Sequence, residues 1–100
     1  MRVIEISAAV AAPGEPVPLA PAHTNAVYAV IQARKLTGEN SGDVFLGTAA
    51  VDKDARQTVQ MSPGDTWEPA VPHGRTLDLS ALYVDAATAG DGVTGLAFLK

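Results

Sequence analysis

Apolar and polar positions alternate over short stretches, and turn-forming residues interrupt the pattern every ~8–14 positions, as in chains that build small β-sandwiches. Arg2-Val3-Ile4-Glu5-Ile6 is β-branched and alternating, and predicts a first strand. Over residues 25–36, Val27, Ala29, Ile31 and Ala33 alternate with Tyr28, Val30, Gln32 and Arg34, the period-two pattern of a strand. Val27, Val30, Ile31 and Arg34 also keep helical spacing. The β-branched content and the turn cluster Gly38-Glu39-Asn40-Ser41-Gly42 favour the strand. Asp43-Val44-Phe45-Leu46-Gly47 then reads as the return strand of a hairpin.

A polar stretch over residues 52–57 leads to Thr58-Val59-Gln60-Met61, which alternates again. Ser62-Pro63-Gly64-Asp65 carries the proline and glycine of a type II turn, and Thr66-Trp67-Glu68 continues beyond it. Pro69 and Pro72 mark an irregular link. Leu77-Asp78-Leu79-Ser80-Ala81-Leu82-Tyr83-Val84 predicts another strand, Ala89-Gly90-Asp91-Gly92 a tight turn, and residues 93–99 the last strand. The expected fold is all-β: a small sandwich or barrel of six to seven short antiparallel strands, with at most one or two turns of helix.

The segment over residues 7–22 breaks the alternation. It is rich in alanine and holds Pro13, Pro16, Pro18 and Pro21, four of the seven prolines. Proline lacks an N–H and disfavours helix at the residue before it, so an extended, polyproline-like course is expected. Two readings follow: an edge segment or linker, and an arm lying along a neighbouring subunit. The expected organisation is an N-terminal strand and arm over residues 1–22, contributing more to assembly than to folding, and a sandwich over residues 23–100.

Composition limits what such a chain can hold. Of the 47% hydrophobic residues, 18 are alanine, which leaves enough larger side chains for one thin core but not for a deep catalytic cavity. There is no cysteine, hence no disulfide and no thiolate metal site. A domain this small and unstapled is expected to gain stability by association. The net charge of −4 and the scattered basic residues argue against nucleic acid, which is gripped by a basic patch. No run of residues is apolar enough for a membrane helix, and Glu5 interrupts what a signal peptide would keep apolar.

Candidate chemistry is sparse. His23 and His73 are far apart and near prolines, and read as loop residues. Asp52-Lys53-Asp54 lacks the glycine and distal glutamate of a calcium loop and reads as a solvated turn. Ser7, Ser41, Ser62 and Ser80 lack a nucleophile-elbow pattern, and no pair among the eleven acids is singled out by spacing. No catalytic, cofactor-binding or metal-binding residue is assigned, and an enzyme is not expected. Trp67, the single tryptophan, is expected to pack in the core or at a subunit interface, with a platform for a sugar ring as the alternative.

From Gln32 onward the order of motifs is informative. A strand leads to Asn40-Ser41-Gly42, then Val44-Phe45-Leu46-Gly47, then Met61-Ser62-Pro63-Gly64-Asp65, Leu77-Asp78-Leu79-Ser80-Ala81-Leu82-Tyr83-Val84-Asp85, and Gly90-Asp91-Gly92-Val93. Over residues 32–98 this resembles small β-sandwich virion proteins of tailed bacteriophages, found as head decoration proteins, head fibres and tail parts. The resemblance implies a capsid decoration (cement) protein that binds the major capsid protein lattice on the capsid surface, stabilises the head and is made in the host cytoplasm. It implies a homo-oligomer, for instance a trimer, and no cofactor; the arm reading adds Pro13, Pro16, Pro18 and Pro21, and the interface reading Trp67, as candidate assembly contacts. The alternative is a tail or fibre module contacting a host-surface glycan through an exposed aromatic, Trp67 or Tyr28, beside carboxylates.

Overall fold

The structure, a computed structural model, describes residues 2–34, 41–54 and 58–100. It is all-β, with two antiparallel sheets. The strands are β1 (Arg2–Ala9), β2 (Val17–Pro18), β3 (Asn25–Ala33), β4 (Val44–Gly47), β5 (Val59–Met61), β6 (Thr66–Trp67), β7 (Leu77–Asp78), β8 (Tyr83–Ala86) and β9 (Gly92–Leu99). One sheet runs β1-β9-β3-β6, with β7 also pairing β3; the other runs β2-β8-β4-β5. The ambiguous segment after Asn25 is strand, as its β-branched residues favour. The described strands number nine rather than six or seven, because several are pieces of two residues. The end of the strand expected to reach Leu36, the Gly38-Glu39-Asn40 part of the turn and the end of the polar stretch at residues 55–57 lie outside the described residues.

The turn signals fall where they were read, but they join different partners. β3 and β4 lie in opposite sheets, as do β5 and β6, and β8 and β9. β3 and β4 therefore do not pair as the expected hairpin, and β4 pairs with β5 and β8 instead. The strand expected over residues 77–84 is divided. Asp78 accepts hydrogen bonds from the Ser80 backbone N–H at 3.0 Å and the Ser80 hydroxyl at 2.8 Å. This caps a 3-10 turn at Leu79–Ala81 that carries the chain from one sheet to the other.

The N-terminal segment is not a separate arm. β1 pairs with β9 along its whole length, from Arg2 opposite Leu99 to Ala9 opposite Gly92. Val17 and Pro18 pair with Val84 and Tyr83. Ile6, Ala8, Val10, Leu19 and Ala20 are all in the core. The segment between the strands turns at Gly14, whose φ of +92° requires a residue without a Cβ. The prolines do not keep the chain extended, because apolar residues between them gain more by burial than by lying on the surface.

Two carboxylates are buried with this core. Asp85, fully buried in β8, accepts from the backbone N–H groups of Gly14 at 2.9 Å, Lys53 at 2.8 Å and Ala86 at 2.9 Å. Asp91, 1% exposed, accepts from Gly42 at 2.9 Å and Ser41 at 3.1 Å. Backbone donors thus replace the water each carboxylate has lost. Each ties distant loops to a strand end.

Candidate interaction face

The outward side chains of β1, β9 and β3 form three rows fixed by register. Val3, Phe98 and Tyr28 stand side by side in the first, Glu5, Leu96 and Val30 in the second, and Ser7, Thr94 and Gln32 in the third. Among the described residues the exposed large hydrophobics are Val3 at 52%, Leu96 at 42% and Tyr28 at 40%, and all three fall in the first two rows. Scattered apolar residues on a surface are ordinary, but a contiguous group marks a binding surface. The face grades from apolar at one end to polar at the other.

A bulge beside Tyr28 takes Val27 out of the inward row and puts Ala26 in it. The β3–β9 register shifts between Ala26 and Tyr28, so Val27 is the extra residue. Ala26, Ala29, Ile31 and Ala33 point inward, and Tyr28, Val30 and Gln32 point outward. Strict alternation from Val27 would have buried that valine; it is instead half-buried at the sheet end. The Tyr28 ring packs against Phe98 with centroids 5.5 Å apart and planes 55° apart. Its hydroxyl donates to Glu68 Oε1 at 2.8 Å. That bond, with some desolvation and the carboxylate's charge, raises the tyrosine above its ordinary value of 10.0.

Beyond the first row lies a groove of about 430 Å³ lined by Val27, Val71, Pro72, His73, Arg75 and Lys100. It is formed where the strand edge beside β3 is interrupted: β6 pairs with Ile31 and Gln32, β7 with Asn25 and Ala26, and residues 68–76 loop out between them. A turn closed by Arg75 N–H donating to the Pro72 carbonyl at 2.9 Å, with Gly74 at φ +77°, presents His73 and Arg75. Among the described residues no carboxylate pairs with either side chain.

The residues singled out in the sequence do not converge. Trp67 is half-buried in β6, packs on the core, and lines an apolar groove of about 210 Å³ with Leu46, Val59 and Leu82. Of the four prolines, Pro18 lies in β2, in the other sheet, and Pro13, Pro16 and Pro21 flank that strand in sequence. Pro13, Pro16 and Pro18 are half-buried and Pro21 is exposed. His23 Nδ1 lies 2.8 Å from Asp78 Oδ2, while His73 lines the cationic groove. Asp78 is held down to about 2 by the Thr24 N–H and then by the Ser80 hydroxyl, with the Ser80 N–H and His23 adding to them. Lys53, of the Asp52-Lys53-Asp54 turn, pairs with Asp54 at 2.7 Å and gives its backbone N–H to Asp85.

The apolar face itself was not singled out by sequence reasoning. Its signal is that β9 is apolar on both parities, with Val93, Ala97 and Leu99 inward and Leu96 and Phe98 outward. A strand buried on one face alone would alternate with polar residues. No protein-family model, no curated protein and no solved structure matches the chain.

Proposed function

We propose that this protein is a non-catalytic assembly protein of a bacteriophage virion, a capsid decoration protein that docks on the major capsid protein lattice. The observation that carries the docking reading is the outward apolar cluster of Val3, Tyr28, Val30, Leu96 and Phe98 on one rigid sheet. The motif order over residues 32–98 supports the virion assignment, and the net charge of −4 suits an outer surface rather than one facing DNA. Burial of apolar surface drives the association, and no bond is made or broken. The test is co-sedimentation with expanded capsids. Leu96→Glu, whose side chain points to solvent, is expected to fold normally and lose capsid binding. Unchanged binding by the folded variant would overturn the docking reading.

A second reading, a glycan-binding module of a tail or fibre, is favoured by one feature. Tyr28 is an exposed aromatic with a carboxylate, Glu68, at 2.8 Å, and stacking beside a hydrogen-bonding acid suits a sugar ring. A glycan titration in which the unmodified chain binds and Tyr28→Ala does not, with no co-sedimentation of the unmodified chain with expanded capsids, selects it.

A further inference from the structure

The four boundaries of the two sheets are not alike. β2 has two residues, one of them proline, and β5 has three. The edge beside β3 is broken into β6 and β7, of two residues each, by the loop between them. β1 has eight residues, contains no proline, and keeps one uninterrupted register with β9. Among the described residues, backbone hydrogen bonds reach β1 from β9 only. Short, proline-bearing and interrupted edges are how sheets avoid pairing with other chains, and a long flat edge invites it. Three boundaries are protected and one is not.

We propose that the free edge of β1 pairs antiparallel with β1 of a second copy across a two-fold axis, making one continuous sheet. A second copy fits because the strand is self-complementary in a register that pairs residues 3–9, nearly its whole length. A two-fold perpendicular to the sheet keeps inward faces on the same side, so opposed residues have the same parity. Centred on Glu5, the pairing would set two carboxylates against each other, which is destabilising. Centred on Ile4, it would bring Arg2 opposite Ile6 on the inward side. Centred on Ile6, it opposes Ile4 to Ala8 and Ile6 to Ile6 inward, and Val3 to Ala9 and Glu5 to Ser7 outward. That register covers residues 3–9 and leaves Arg2 outside the paired segment. It also brings the two copies' Val3-Phe98-Tyr28 rows onto the same side of one doubled sheet.

The inference concerns a strand edge and does not rest on what the outward face binds. The chain has no cysteine, so engineered cysteines act without background. Glu5→Cys and Ser7→Cys proteins are mixed and mildly oxidised. Directly opposed residues lie about 4.5–5.5 Å apart at Cα, within the ~4.4–6.8 Å that a disulfide spans. The mixture is expected to give several-fold more covalent dimer than either variant alone, with the linkage between positions 5 and 7 seen by peptide mass spectrometry. Light scattering of the unmodified chain is expected to give twice its 10.3 kDa mass at high micromolar concentration. A monomer, or a mixture that cross-links no better than its components, overturns the proposal. Leu96→Glu should dimerise normally, so loss of capsid docking and loss of this pairing are separable.

Discussion

The two sheets are built by different means from one short chain. The five-stranded sheet rests on three strands of eight or nine residues, β1, β9 and β3, paired over long ladders with a bulge at Val27. The four-stranded sheet has strands of two to four residues, and its central strand β8 carries Asp85. Where ladders are long, backbone pairing and packing hold the layer. Where they are short, a buried carboxylate gathers the loops of residues 10–16 and 48–54 that the ladders do not reach. The first sheet can spare its outer face for apolar side chains. The second spends a charge inside to keep its shape.

The largest expected effect comes from removing the longest edge. A chain beginning at His23 lacks β1 and β2 and five core residues, and is expected to lose its β signal in circular dichroism. A folded truncation would mean that the long sheet does not need that strand. Next is Gly95→Ala in β9, where an added Cβ would stand 2.1 Å from the Val30 carbonyl oxygen. Backbone in the centre of the long sheet cannot yield, so a loss of about 3 kcal/mol or more is expected in urea titration.

Asp85→Ala tests the short sheet. It strands N–H donors of Gly14 and Lys53, and unsatisfied buried donors cost ~1–3 kcal/mol each, so about 2–3 kcal/mol is expected after allowing for their partial exposure. Asp85→Asn, which keeps one acceptor oxygen, should lose roughly half of that. A smaller effect is expected at Gly47 in β4. An added Cβ there meets the Thr58 hydroxyl at 2.9 Å, which can rotate away. It also meets the Val51 and Thr58 Cβ atoms at 3.2 and 3.3 Å, which must give by a few tenths of an ångström, and the loss should stay at about 1 kcal/mol. Equal losses at Gly47 and Gly95 would erase the contrast between the layers.

The smallest effect is a pH dependence at Asp78, where the chain crosses between sheets. Its folded value of about 2 lies below the ordinary 3.8, so the unfolded chain takes up the proton first as pH falls. The stabilisation is complete above the unfolded value and is lost as pH drops from about 4 towards 2. Thermal melts across that window should show a decline that Asp78→Asn flattens.

Most of the strands were legible because alternation and turn residues are local signals. Partner choice was not, because an arch and a hairpin use the same residues. Ser62-Pro63-Gly64-Asp65 turns the chain in either case, with Asp65 accepting from Ser62 N–H at 2.9 Å, and only packing decides that β6 joins the other layer. The proline-rich segment misled for a related reason: proline limits backbone donors but says nothing about the burial of Val10, Leu19 and Ala20. The role of Asp85 carries no local signal, since two of its three donors lie 71 and 32 residues away. Several resemblance motifs also do structural work: Asp91 anchors Ser41 and Gly42, and Asp78 caps the turn at Ser80.

The place of β9 in the long sheet governs when the molecule can come into being. It is the last strand in sequence, yet it lies between β1 and β3 and holds them in one layer. As synthesis proceeds at ~5–20 residues per second, β1 and β3 wait with no strand between them until residues 92–99 have left the ribosome. Joining β1 to β9 closes a loop that spans nearly the whole chain, and non-local pairing of this kind places folding in the slow, ~millisecond-to-second class. Each row of the outward face takes a member from β9. A nascent chain therefore presents none of these rows complete until residues 92–99 have emerged.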